Sequence, residues 1–242
     1  MAIEQLTIPT IKELFIETIE FKILSGVFEI GDKLPSEREL ASKMQISKTI
    51  VHDGLKELER IGFITAYSGR GTYVADYTKS GSIEVLQAFT HYNNNNLDSA
   101  THTSMVELRL ACEPGVLIDF TKKGTSDDTE ELVKLKNNIL YTIDQNFEID
   151  DISEALFIYH KFIYSISGNN VFPIILNIFH DLAILSISNF IRNYSIDFTR
   201  KWIIEITSLL TLKKGKEAAR LMKHVVYEYG RTCKIPVSDV YQ

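Results

Sequence analysis

Leu34-Pro35-Ser36-Glu37-Arg38-Glu39-Leu40-Ala41, then Ile46-Ser47-Lys48-Thr49-Ile50-Val51 and Gly69-Arg70-Gly71-Thr72-Tyr73-Val74, is the stretch on which the fold turns. Ser36 stands three residues before Glu39, the reciprocal arrangement in which a hydroxyl and a carboxylate satisfy the free backbone donors at a helix start, so a short helix is expected to about Met44. After Gln45-Ile46, Ser47 is placed to cap another helix whose inward face reads Ile50 or Val51, Leu55, Leu58 and Ile61, closed by Gly62. Upstream, Ile11, Leu14, Phe15, Ile19 and Ile23 recur at helical spacing and stop at Gly26, a residue tolerant of left-handed geometry. Downstream, Phe63 to Tyr67 and Thr72 to Val74 are β-prone and flank the turn Ser68-Gly69-Arg70-Gly71, which describes a hairpin. Three helices and a hairpin in this order make a helix-turn-helix with a wing.

Asp76 to Ser82, polar and containing Gly81, reads as a linker. Beyond it apolar residues recur at three- and four-residue spacing over about 83–92, 99–122, 127–146, 151–167, 170–194, 198–213 and 216–230. Breaks fall at Asn93 to Asn96, Gly124, Gly168, Ser195 to Asp197 and Gly215, and Pro173 sits early in its helix, where a missing N–H costs little. The expected fold is mainly α: a winged helix-turn-helix with a small β-hairpin wing over 1–75, a linker over 76–82 and an all-α helical bundle over 83–242.

Composition agrees with two such domains. The chain has 242 residues, 45% apolar and 24% charged, enough to bury a sizeable core and unlike disordered or collagen-like sequences. No apolar run approaches a membrane span, and the amino terminus, with Glu4, has no basic-then-apolar leader, so a cytoplasmic protein without a membrane partner is expected. Cys112 and Cys233 are too few for a disulfide framework and lack metal-ligand spacing. The formal charge of −6 means that any nucleic-acid surface must be local. Residues 1–78 hold nine Lys or Arg against twelve Asp or Glu, whereas 33–70 hold seven against five.

On the helix-turn-helix reading, Arg38, then Ser47, Lys48 and Thr49 at the head of the third helix, and Gly69 and Arg70 in the wing approach double-stranded DNA, with helix N-termini donating backbone N–H groups to phosphates. His52, one turn further on, would reach a base edge. The other account of Arg38, Lys48 and Lys56 is a solvated face of a small interaction domain.

These residues, with Gly26-Val27-Phe28-Glu29-Ile30-Gly31-Asp32-Lys33 ahead of Leu34, resemble the winged-helix domain of the GntR family of bacterial transcription regulators over residues 8–75. The resemblance implies DNA contact by Arg38, Lys48, Thr49, His52 and Gly69, and a homodimer on an operator palindrome. The family usually carries arginine at 48 and 52, proline at 50, glutamate at 53 and alanine at 54; here those places hold Lys48, His52, Ile50, Asp53 and Gly54. Lysine lacks the forked guanidinium and histidine offers one nitrogen, so guanine readout should weaken or change.

The helical half resembles the FCD effector domain of the FadR subgroup, in Glu107-Leu108-Arg109-Leu110-Ala111-Cys112-Glu113-Pro114, in His160 followed by Ser167-Gly168-Asn169, and in Gly215-Lys216-Glu217-Ala218-Ala219 leading to His224. Many members hold a divalent metal through an aspartate and a histidine four apart and two later histidines, with a carboxylate effector on that metal. Leu156 stands at the aspartate's place four residues before His160, and Trp202 at that of the middle histidine, so no metal and no other cofactor is expected. The resemblance implies a small-molecule effector, a carboxylate or acyl compound among the candidates, in a cavity lined by Leu156, His160, Trp202 and His224 with Arg109 as a cation. The other readings are core packing for Trp202, a core hydrogen bond for His160 and an ion pair of Arg109 with a nearby glutamate, Glu107 or Glu113. The whole reads as a ligand-responsive regulator, a repressor by the commoner family mode, and not as an enzyme: there is no His-Glu-x-x-His, phosphate loop or serine elbow. The alternatives are a metal-dependent regulator sensing a carboxylate through His160 and His224, and a helical metalloenzyme.

Overall fold

The structure, a computed structural model, describes residues 8–93 and 99–232; Glu4, Asn94 to Asn96 and Cys233 lie outside the described residues. The chain divides into two compact units, 1–95 and 96–242.

Local capping builds the first unit. Thr10 and Glu13 cap α1 (Ile11–Leu24) reciprocally, Ser36 and Glu39 do the same for α2 (Glu37–Met44), and Ser47 accepts from the Ile50 N–H at the head of α3 (Lys48–Ile61). Gln45, left-handed at φ 54°, makes the turn between α2 and α3. At the end of α3, Gly62 has φ +96°, and a Cβ there would lie 2.6 Å from the Ser80 carbonyl oxygen, so both backbone and space demand glycine. The wing is β1 (Ile64–Tyr67) antiparallel to β2 (Gly71–Val74), with Ile64 opposite Val74 and Tyr67 opposite Gly71. The chain ahead of α2 lies along β2: the Leu34 N–H donates to the Thr72 carbonyl and the Val74 N–H to the Asp32 carbonyl, each at 2.9 Å.

Phe15, Ile19 and Ile23 of α1 meet Leu40 of α2, Val51, Leu55, Leu58 and Ile61 of α3, and Phe63 in one core. Val51 is the inward residue and Ile50 is half-buried, while Ile11 and Leu14 of the apolar repeat are exposed. The span read as a linker contains a short helix, α4 (Tyr77–Ser80). The next helix, α5 (Ile83–Tyr92), read as the start of the bundle, buries Val85 in this first core.

The second unit is helical throughout its described residues: α6 (Ser99–Lys123), α7 (Ser126–Asp144), α8 (Ile149–Ile166), α9 (Phe172–Ile178), α10 (His180–Tyr194), α11 (Ile196–Thr211) and α12 (Gly215–Thr232). Phe120, Leu132, Ile139, Ile152, Ile163, Ile203, Leu210 and Tyr229 fill its centre. Inside that core the Tyr159 and Thr207 hydroxyls lie 2.9 Å apart and join α8 to α11. Pro173 stands in the first turn of α9, as its missing donor favours. The single helix expected over 170–194 is two, bent by 78°. Phe179, between them, has φ −92° and ψ 15°, the bridge region in which a helix turns a corner. Among the described residues no single helix is long and apolar enough to cross a membrane.

Candidate nucleic-acid interface and ligand cavity

Arg38, Ser47, Lys48, Thr49, His52, Gly69 and Arg70 are all exposed on the first unit. The helices hold them there because Leu40 anchors α2 from behind and Val51, Leu55 and Leu58 anchor α3, which leaves the opening turn of α3 toward solvent. Three backbone N–H groups at such a turn have no helical acceptor, and the hydroxyl of Ser47 takes one of them, from Ile50, at 3.2 Å. Gly69, at φ +71°, lets the wing reverse at its tip. The side chains of Arg38, Thr49 and Arg70 have no partner among the described residues and are available to phosphate or base.

Lys48 and His52 are engaged by one carboxylate. Glu37 of α2 places Oε2 3.7 Å from Lys48 Nζ and Oε1 2.8 Å from His52 Nδ1. A carboxylate can only accept, so Nδ1 carries the hydrogen and a neutral His52 keeps Nε2 as a lone-pair acceptor. Adenine and cytosine present amino hydrogens to such an acceptor in the major groove, whereas guanine presents only the acceptors N7 and O6. Glu37 is a site residue that sequence reasoning missed, because its partners lie across the turn and no local spacing signals the contact.

In the second unit α6, α8, α9 and α10 enclose a cavity of about 100 Å³. Phe157, Phe172, Leu176, Phe179 and Ile187 form apolar wall, and Arg109, Cys112, Glu113, His160, Tyr164 and Ser186 supply its polar groups. A smaller space of about 20 Å³ shares Arg109 and His160 with it and is bounded by Leu156, Trp202, Val225 and Val226. Four of the five residues expected here, Arg109, Leu156, His160 and Trp202, therefore come together. His160 Nδ1 lies 2.8 Å from the Leu156 carbonyl oxygen, to which it must donate, leaving Nε2 as an acceptor. Burial first, then the Arg109 charge, lower the His160 pKa against the opposing effect of Glu113, so the imidazole is neutral. Its ring stacks on the Trp202 indole at 5.8 Å between centroids.

Arg109 is not a free cation. Its Nε and one terminal nitrogen donate to the two oxygens of Glu113 at 2.7 and 3.3 Å. Burial opposes the arginine's charge, but the Glu113 carboxylate outweighs it and keeps the Arg109 pKa raised. The four-residue spacing on one helix was a signal for this pair.

His224 is corrected. It is exposed, on the side of α12 turned away from the buried Ala218, Met222, Val225, Val226 and Tyr229. Two residues along a helix rotate a side chain by about 200°, so the neighbours of Met222 and Val226 at position 224 must face out. His160 and His224 do not converge, and the joint carboxylate-sensing metal site built on them loses its geometry. One neutral imidazole beside leucine and indole is not a donor set for a divalent metal, and no group of three metal-ligating side chains occurs among the described residues. Ser186 had no sequence signal.

Comparisons with known proteins bear on the family and the fold. Residues 12–74 match the family model described as bacterial regulatory proteins, gntR family. The HTH-type transcriptional repressor YtrA of Bacillus subtilis is 36% identical over 98 residues, covering 40% of this chain and 75% of that protein. YcbG of the same organism, an HTH-type transcriptional regulator, is 28% identical over 175 residues, covering 72% of this chain and 68% of the relative. The fatty acid metabolism regulator protein of Proteus mirabilis is 22% identical over 161 residues, 66% of this chain and 64% of that one. Among solved structures, Lar of Listeria monocytogenes matches with a TM-score of 0.63 at 15% identity over 95% of this chain and 99% of that one, a likeness of fold.

Proposed function

The chain belongs to the GntR family of bacterial transcription regulators, and from that premise we propose that it is a cytoplasmic repressor of the FadR subgroup. It binds a palindromic operator as a homodimer and responds to a small organic effector. The first unit reads DNA through Arg38, Ser47, Lys48, Thr49, His52, Gly69 and Arg70, and the bundle from α6 onward takes the effector and dimerises. The observation that carries the reading is the exposed, serine-capped opening turn of α3, with an exposed Arg38 that has no partner among the described residues and a glycine-tipped wing. One such module gives limited affinity, and two related by a twofold axis meet half-sites about one helical turn apart. The effector acts by preferring one dimer geometry over another; a ligand indifferent to the two would change nothing.

The experiment is selection of sequences from random duplex DNA by the full-length protein, followed by gel retardation with the enriched duplex. The expected result is a short imperfect palindrome whose retardation is abolished in Arg38→Ala/Lys48→Ala while circular dichroism and the mass of the assembly stay unchanged. Failure to enrich any sequence, or full retardation by the double variant, overturns the proposal.

A further inference from the structure

The effector cavity has an unusual polar inventory, and it decides the class of molecule that fits. The two charged residues in its walls, Arg109 and Glu113, are clasped to each other through both carboxylate oxygens. A carboxylate entering this space would have to break that pair and then face the released Glu113 within the same walls, where low dielectric magnifies like-charge repulsion. Set against this is a deficit of neutral hydrogen-bond partners. The Ser186 hydroxyl and the Trp202 indole Nε1 are buried and have no hydrogen-bond partner among the described residues. Ser186 lines the larger space and Trp202 the smaller. The His160 Nε2 acceptor, in the walls of both spaces, has no protein donor among the described residues either. Buried polar groups left this way are costly, and their presence around a cavity marks a partner that the chain itself does not supply.

We propose that this cavity binds an uncharged, largely apolar small molecule bearing one hydroxyl, carbonyl or amide group, and that the Arg109–Glu113 pair acts as a filter against carboxylates. The apolar part lies against Phe157, Phe172, Leu176, Phe179 and Ile187, and the polar group satisfies Ser186, with Trp202 and His160 as the remaining donor and acceptor. A space of about 100 Å³ suits a molecule on the scale of a short alcohol or amide, since cavities of roughly 150 Å³ take up benzene. The inference rests on the reading of this cavity as the effector site, yet its test is independent of DNA.

Trp202 is the chain's only tryptophan, lines the adjoining smaller space and stacks on His160, which lines both, so intrinsic fluorescence of the full-length protein reports this site through that contact. The probes are pentan-1-ol, pentanamide and pentanoate, which share a carbon count and differ in charge. The expected result is a saturable change in Trp202 emission with the alcohol and amide and at least about tenfold weaker binding of pentanoate. Ser186→Ala weakens alcohol binding severalfold without shifting the thermal midpoint downward. Glu113→Gln releases Arg109 and raises pentanoate affinity by about tenfold or more. Should that variant fail to fold, Arg109→Met/Glu113→Met removes both charges together and must retain the alcohol response. Pentanoate binding as tightly as pentan-1-ol to the unaltered protein, or no saturable response to any of the three, overturns the inference. A DNA selection that fails while the neutral preference holds overturns the regulator reading alone.

Discussion

Gly54→Ala is the sharpest test of how the recognition helix is seated. Gly54 is buried on α3, and a Cβ there would lie 2.3 Å from Phe15 Cδ1 and 2.6 Å from Cε1. Carbon atoms prefer about 3.5–4.0 Å, so the ring would have to withdraw by more than about 1 Å. Phe15 is 1% exposed and closed in by the first core, which leaves it no free direction. Overpacking of this kind costs about 1–3 kcal/mol. Replacing an interior helical glycine by alanine returns about 1 kcal/mol of backbone propensity. The two effects leave a net loss of about 1 kcal/mol, some fivefold in an opening equilibrium at about 1.4 kcal/mol per decade. Native-state amide exchange at Leu55 and Leu58 reads this on the full chain and should quicken by that factor. With Phe15→Leu as background the ring edge is gone, and the same substitution should become stabilising. Slower exchange in Gly54→Ala with Phe15 intact would refute the steric account.

Four further outcomes follow from the same geometry. Burial, then the neighbouring Glu17, push the Glu20 carboxyl up to about 7, above its unfolded value, so the folded chain holds the extra proton and stability falls as pH rises between about 4.3 and 7; Glu20→Gln should match the parent at pH 4 and, allowing for partial exposure, gain about 1 kcal/mol at pH 8 in thermal melts. An equal effect at both pH values would count against it. Thr207→Val strands the buried Tyr159 hydroxyl and should lower stability by about 1–3 kcal/mol in urea titrations followed by Trp202 emission, and an unchanged midpoint would refute the bond's role. Lys48→Ala should reduce the salt slope of operator binding by about 1 in a log–log plot, whereas an unchanged slope places Lys48 away from phosphate. His52→Arg together with Glu37→Ala should move the preference at its base pair from adenine or cytosine to guanine in the duplex selection, and identical selected sites would remove position 52 from base readout.

What was legible in the sequence is what is local. Ser36 with Glu39, and Ser47 ahead of α3, announce helix starts because a cap completes its hydrogen bonds within three residues. Gly62 marks the end of α3 for the same reason, and the hairpin follows from β-prone runs around a glycine turn. The bend at Phe179 left no such mark: the residue is an ordinary helix former, its ring lines the cavity, and the break depends on packing between elements. The place of α5 is likewise tertiary, since Val85 has the same spacing whichever core it enters. His224 is expected at the site only through the motif that leads to it, and such a resemblance does not fix which face of α12 the residue takes, which the buried Met222 and Val226 do.

Five of the positions at which this chain departs from the pattern of the family it resembles, 48, 52, 54, 156 and 202, have partners in the fold. Glycine at 54 leaves room for the Phe15 ring. Lysine and histidine at 48 and 52 share the Glu37 carboxylate, which fixes the tautomer of the imidazole and tempers the charge of the ammonium. Leucine at 156 and tryptophan at 202 belong to a wall in which the one cation is already neutralised by Glu113. Returning one such residue to the family type would therefore not return the family's chemistry. Aspartate at 156 would bury a carboxylate among Trp202, Val225 and Val226, at a cost of several kcal/mol, with His224 still facing solvent on the far side of α12. A single arginine at 52 would meet Glu37 before it met a base. The unit of change at each site is the pair, so installing the family-type residue alone should not shift specificity while its partner across the turn or along the helix stays in place.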